Sequence, residues 1–182
     1  MIAVNRYRSG FSLIELMIAI AIFAITLSIA IPSLQSWIEN ARVRTTAESI
    51  VAGFQIAKNE ALRRNTSVRI TLSADTSWLV GCDPVDDADT DADGLEDCPS
   101  NIKSRSMKDG STNITAAITP NGAASVLYSG FGRVVGGAEN PITSVDVPAT
   151  AKAGVTSLRI VVTGGGVRMC APAVATGDPR AC

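Results

Sequence analysis

The chain has 182 residues, no histidine, four cysteines and a formal net charge of −1. Without histidine, His-based catalytic triads and His-ligated zinc are excluded, and with them the commonest general base and the commonest zinc ligand. A charge this close to zero does not mark the whole molecule as a polyanion binder.

The first ten residues, Met1-Ile2-Ala3-Val4-Asn5-Arg6-Tyr7-Arg8-Ser9-Gly10, are short, polar and basic. Arg6 and Arg8 are expected to hold this end on the cytoplasmic side of a membrane. From residue 11 to residue 38 the only formal charge is Glu15. Roughly 20 apolar residues, each rising about 1.5 Å, span a bilayer's hydrocarbon. Residues 11–36 are therefore expected to form a transmembrane helical half. A carboxylate inside such a segment costs about 2.5–3.5 kcal/mol on insertion scales, so Glu15 calls for a partner. A secretory signal would place its cleavage site after the apolar run. Here the small-residue junction lies before it, between Gly10 and Phe11.

The stretch Gly10-Phe11-Ser12-Leu13-Ile14-Glu15-Leu16 resembles the class III leader of type IV pilins and pseudopilins. The resemblance implies that a prepilin peptidase of the inner membrane cuts between Gly10 and Phe11, releasing residues 1–10, and then N-methylates Phe11. It also implies that Glu15 pairs with the N-terminal amine of a neighbouring subunit during filament assembly. Such a pair forms only at one stagger of two subunits. Its safest role is to set register, because the net energy of a buried ion pair is small or unfavourable.

Pro32 interrupts the helix at one backbone hydrogen bond, and pilins often carry a proline at this distance from the mature end. The helix is expected to resume and run to about residue 65. Val43, Ala47, Ile50, Phe54, Ala57 and Ala61 recur in steps of four and three, a helical apolar stripe. Arg42, Arg44, Glu48, Lys58, Arg63 and Arg64 lie largely off it, and Asn65 is a plausible stop. The segment Phe54-Gln55-Ile56-Ala57-Lys58-Asn59-Glu60-Ala61-Leu62-Arg63-Arg64-Asn65 is similar to the helix end of the FimT, FimU and GspH group of minor pilins and type II pseudopilins, with Lys58 in place of the usual arginine.

Strand signals follow. Val68-Arg69-Ile70-Thr71-Leu72 alternates apolar and polar residues. Further short strands are expected at residues 78–80, 102–107, 113–118, 125–128, 131–135, 158–162 and 167–170. Residues 135–154 read as a loop with room for one short strand. The expected fold is α+β and pilin-like. A long N-terminal helix, residues 11–65, packs its amphipathic half against an antiparallel β-sheet head, residues 66–182.

Cys82, Cys98, Cys170 and Cys182 all lie beyond the apolar run, on the side where disulfides persist. Four cysteines allow three connectivities. Cys82 with Cys98 and Cys170 with Cys182 is the favoured pairing, since each pair brackets a short loop rich in Asp, Pro and Gly.

Residues 83–97 hold eight carboxylates. Asp89, Asp91 and Asp93 alternate before Gly94, and Asp97 falls at the ninth place of an EF-hand-like frame whose seventh place, Leu95, offers a carbonyl. Two readings stay open: a site for Ca²⁺, the hard cation this oxygen set suits, and a solvated acidic loop with no ion. The twelfth place is Ser100 instead of a bidentate glutamate, so any affinity would be weak.

Some FimT-like proteins bind DNA through a Gly-Arg-x-Arg pattern near the C-terminus. In the matching stretch Gly165-Gly166-Val167-Arg168 only Arg168 maps. Arg180, Arg159 and Lys152 are further candidates for a local basic patch. No nucleophile–base pair appears, so an enzyme is not expected, nor is a required cofactor. The resemblance implies a minor type IV pilin that primes or caps a pilus, held in the inner membrane with its head periplasmic before assembly. Its partners would be major and minor pilins and the prepilin peptidase. The alternatives are a GspH-like pseudopilin of type II secretion and a DNA-binding minor pilin of natural transformation.

Overall fold

The computed structural model describes residues 11–84, 98–109, 114–135, 140–148 and 154–182; of Ile29, Ala30, Pro32 and Ser33 it describes the backbone alone. Among the described residues one helix, α1 (Leu13–Arg64), runs for 52 residues. Ser12 caps its start, and its hydroxyl accepts the Glu15 N–H at 3.3 Å. This satisfies one of the orphan donors of the first turn. Asn65 ends the helix in the left-handed conformation (φ 50°), with its N–H donated to the Ala61 carbonyl. Arg63 and Arg64 in the last turn complement the negative end of the helix dipole.

Among the described residues nine strands follow: β1 (Val68–Leu72), β2 (Trp78–Cys82), β3 (Lys103–Arg105), β4 (Ala117–Thr119), β5 (Ser125–Tyr128), β6 (Val134–Val135), β7 (Ser144–Val147), β8 (Leu158–Thr163) and β9 (Gly166–Cys170). They form two antiparallel sheets, β3-β2-β1-β5-β6 and β4-β7-β8-β9. The sheets meet where Val134 donates its N–H to the Gly164 carbonyl at 3.1 Å, in the β8–β9 turn.

The expected stripe is the spine of the core. Val43, Ala47, Ile50, Phe54, Ala57 and Ala61 are all fully buried. Against them lie Val68, Ile70 and Leu72 of β1, Val80 of β2, Val126 and Tyr128 of β5, and Val145 and Ile160 of the second sheet. Burying a large aliphatic or aromatic side chain contributes roughly 1.5–3 kcal/mol, so this seam dominates the stability of the head.

Several middle strands differ from expectation. The strand expected at 102–107 is only Lys103–Arg105, because Asp109 N–H bonds to the Ser106 carbonyl and closes a turn. The one expected at 113–118 is Ala117–Thr119. Ile114 and Ala116 are buried but outside the ladder, and Asn113 lies outside the described residues. The one expected at 131–135 is Val134–Val135, since Gly132 bonds back to Ser129 with Phe131 on the turn. The short strand allowed within 135–154 is β7, and it is internal to its sheet, between β4 and β8.

Candidate assembly interface

Among the described residues, the first half of α1 is bare. Phe11 is 85% exposed and Leu13 78%, and Ile14, Leu16, Met17, Ile18, Ile20, Ile22, Phe23 and Ile25 are all exposed. Trp37, at the far end of this surface, is 68% exposed. A helix apolar on every side has no face to offer water and needs an apolar surround or apolar neighbours. Among the described residues no helical segment is long and apolar enough to cross a membrane.

Glu15 sits in the first turn of α1, with an exposed side chain on that apolar surface. The helix N-terminus favours its carboxylate by roughly 0.3–1 kcal/mol. Phe11 precedes the Ser12 cap, so an amine created at Phe11 would lie close to the capped end. Gly10 and the rest of the leader lie outside the described residues.

The second half of α1 is locked to the head by polar bonds as well as by the core. Asn40 Nδ2 donates to the Gly154 carbonyl at 2.8 Å, and Asn40 Oδ1 accepts the Thr156 N–H at 3.0 Å. Lys58 Nζ donates to the Gly165 carbonyl at 2.5 Å. Trp78 Nε1 donates to Ser49 Oγ at 3.1 Å. Gly53 allows this: a Cβ there would meet Trp78 Cδ2 at 3.0 Å and Ile70 Cδ1 at 3.1 Å. Asn40 and Trp37 escaped sequence reasoning. The signals were present, an indifferent helix former inside a long helix and an aromatic residue at the end of an apolar run.

Cys82 is bonded to Cys98, and Cys170 to Cys182. The first bridge closes the base of the acidic loop. Beside it, Arg69 pairs with Asp83 and donates from Nη1 to Ser125 Oγ at 3.1 Å. Gly81 makes room for the returning chain, since a Cβ there would meet the Ser100 carbonyl oxygen. The calcium candidates Asp89, Asp91, Asp93, Leu95 and Asp97 lie outside the described residues, as does Lys152.

The remaining basic candidates each have partners. Arg159 pairs with Asp146 at 2.6 and 3.0 Å. Arg180 pairs with Asp178 at 2.9 and 3.1 Å. These bonds to Arg180, through its side chain and backbone N–H, pull the Asp178 carboxyl down to about 2. Arg168 Nη2 donates to the Cys182 carbonyl at 3.3 Å. The β8–β9 register, Arg159 opposite Cys170 and Val161 opposite Arg168, puts Arg159 and Arg168 on one face at diagonal positions. Asp146 opposite Arg159 offsets part of their charge.

Residues 46–166 match the family model described as type II transport protein GspH. Residues 5–31 match the prokaryotic N-terminal methylation motif. No curated relative and no solved structure matches the chain.

Proposed function

The chain belongs to the family of type II transport protein GspH, and from that premise we propose that it is a minor type IV pilin, a subunit that helps prime or cap pilus assembly. One observation carries the proposal. One continuous helix, α1, has an exposed apolar half bearing Glu15 near its tip and a second half sealed into a β-rich head. A helix built this way transmits the position of its apolar half directly to its head.

The mechanism has four steps. Residues 11–36 hold the subunit in the inner membrane with the head in the periplasm, where the two disulfides persist. The prepilin peptidase cuts between Gly10 and Phe11 and methylates Phe11, as the methylation motif implies. The apolar halves of neighbouring subunits then pack side by side, burying the surface that begins at Phe11. Glu15 meets a neighbour's new amine, which sets the stagger, and the heads dock on partner pilins.

The family description favours a second reading, a pseudopilin of type II secretion built the same way. Gene deletion separates the two. Loss of pili and twitching with secretion intact supports the pilus reading; loss of exoprotein secretion with pili intact supports the second. Mass spectrometry of the mature chain tests both. An N-methylated Phe11 as the first residue is expected, and an intact leader would refute both readings.

A further inference from the structure

The charge-free part of the apolar half is bounded by Glu15 at one end and Glu39 at the other. Arg42 and Arg44 follow within two turns. Polar residues do interrupt it, but the hydroxyls of Thr26 and Ser28 are turned inward to the helix. Thr26 Oγ1 donates to the Phe23 carbonyl at 2.8 Å, and Ser28 Oγ donates to the Ala24 carbonyl at 2.8 Å. A hydroxyl bonded to its own helix needs no water, which suits hydrocarbon.

Trp37 stands at the far boundary. It is 68% exposed and precedes the first residue of the buried stripe, Val43. The tether to Thr156 begins just after it, at Asn40. An indole, apolar in body and polar at its N–H, is favoured at the level of lipid headgroups. From Trp37 back to Glu15 the helix rises about 33 Å, against a hydrocarbon thickness of about 30 Å. The two residues therefore bracket one bilayer.

We propose that Trp37 fixes the depth of α1 in a phospholipid bilayer, and that at this depth Glu15 lies at the opposite headgroup level, outside the hydrocarbon. The inference rests on the reading of residues 11–36 as a membrane anchor. It changes when Glu15 needs its partner. In the bilayer the carboxylate stays hydrated and the cut site at Gly10 stays within reach of a membrane enzyme. Only when the subunit leaves the lipid does Glu15 lose water, and only then must a neighbour's amine replace it. Extraction into the filament and pairing of Glu15 thus become one step.

The test uses the full chain in vesicles of phosphatidylethanolamine and phosphatidylglycerol that carry brominated acyl chains. Trp37 emission is isolated by subtracting the spectrum of Trp37→Phe, which leaves the buried Trp78 as background. Bromines near the headgroup are expected to quench Trp37 about twofold more strongly than bromines near the chain ends. In inside-out membrane vesicles, a Glu15→Cys thiol is expected to react with an impermeant maleimide while an Ile22→Cys thiol does not. The four native cysteines do not compete, being bridged. Strongest quenching by the deep bromines, or a Glu15→Cys thiol as protected as the Ile22→Cys thiol, overturns the depth inference and leaves the anchor reading standing. Release of the chain from vesicles by alkaline wash, with no quenching by any lipid, overturns both.

Discussion

Asn40 engages Thr156 as a neighbouring strand would, accepting its N–H at 3.0 Å while donating to the carbonyl of Gly154 at 2.8 Å. One side-chain amide thus fixes the approach to β8 against α1 at the foot of the head. Lys58 does the same for the β8–β9 turn through Gly165. The two tethers stand about 27 Å apart along the helix axis. Between them the second sheet cannot slide on the helix without breaking one or the other.

Removing the amide should therefore loosen one end of that sheet. Asn40→Ala is expected to destabilise the protein by about 1–2 kcal/mol, chiefly the cost of its two bonds to the head at a site where water can partly substitute. Hydrogen exchange should accelerate at the Thr156 amide and leave the β1 amides unchanged. Uniform acceleration across the head would show that Asn40 has no local role.

Gly53 is the second place where one atom matters. Alanine would improve helix propensity by about 1 kcal/mol. Its Cβ would press on Trp78 and Ile70, which are 5% and 0% exposed and would each have to shift inside the core by a few tenths of an ångström. Gly53→Ala is expected to lower stability by up to about 2 kcal/mol, the overpacking cost less the propensity gain. Gly164→Ala, where the added carbon meets nothing within 4 Å, should stay within about 0.5 kcal/mol of the parent. Denaturant titration of both variants in detergent measures the difference.

Two hydroxyls are buried without a hydrogen-bond partner among the described residues, Thr46 Oγ1 and Tyr128 OH. An unsatisfied buried hydroxyl opposes folding, so Thr46→Val and Tyr128→Phe are each expected to raise stability, by about 1 kcal/mol. Burial also pushes the Tyr128 phenol up to about 12. The folded state thus favours the neutral phenol. The stability this represents is complete below the unfolded value near 10 and drains away as pH rises towards 12. Melting curves of Tyr128→Phe should lose that part of the alkaline decline. A decline of unchanged steepness would mean that other groups cause it.

Glu60 bears the acid side of the same argument. Partial burial raises its carboxyl, but hydrogen bonds and charge from Arg63 and Arg64 outweigh burial and hold it below the usual value. The bonds are 2.7 Å to Arg63 and 3.0 Å to Arg64. The folded state favours the ionised form, so this contribution is complete above the unfolded value and is lost as pH falls through the folded one. Glu60→Gln is expected to flatten the fall in melting temperature from about pH 5 downward. Equal acid sensitivity in both proteins would rule out the triad as its source.

The stripe from Val43 to Ala61 was legible because its period is local: six residues one or two turns apart must share a face whatever they pack on. The helix stop at Asn65 and the last two strands, expected at 158–162 and 167–170, were legible for the same reason. The middle strands were not. Residues 102–107 and 131–135 have strand-like composition, but short segments pair only where turns at Ser106 and Ser129 leave them in register. Ile114 and Ala116 are apolar and buried without joining a ladder, which periodicity cannot foresee.

Sequence alone determined the division of labour along the helix: a charge-free apolar half that begins at Glu15, and a one-sided half that must meet a head. Each follows from how apolar and charged residues are spaced along a single α-helix. Only the tertiary structure decided that β7 lies inside its sheet, that Gly53 admits the Trp78 ring, and that Asn40 grips Thr156. Those three depend on atoms far apart in the chain, brought together by burial of the core, and no local pattern encodes such a meeting.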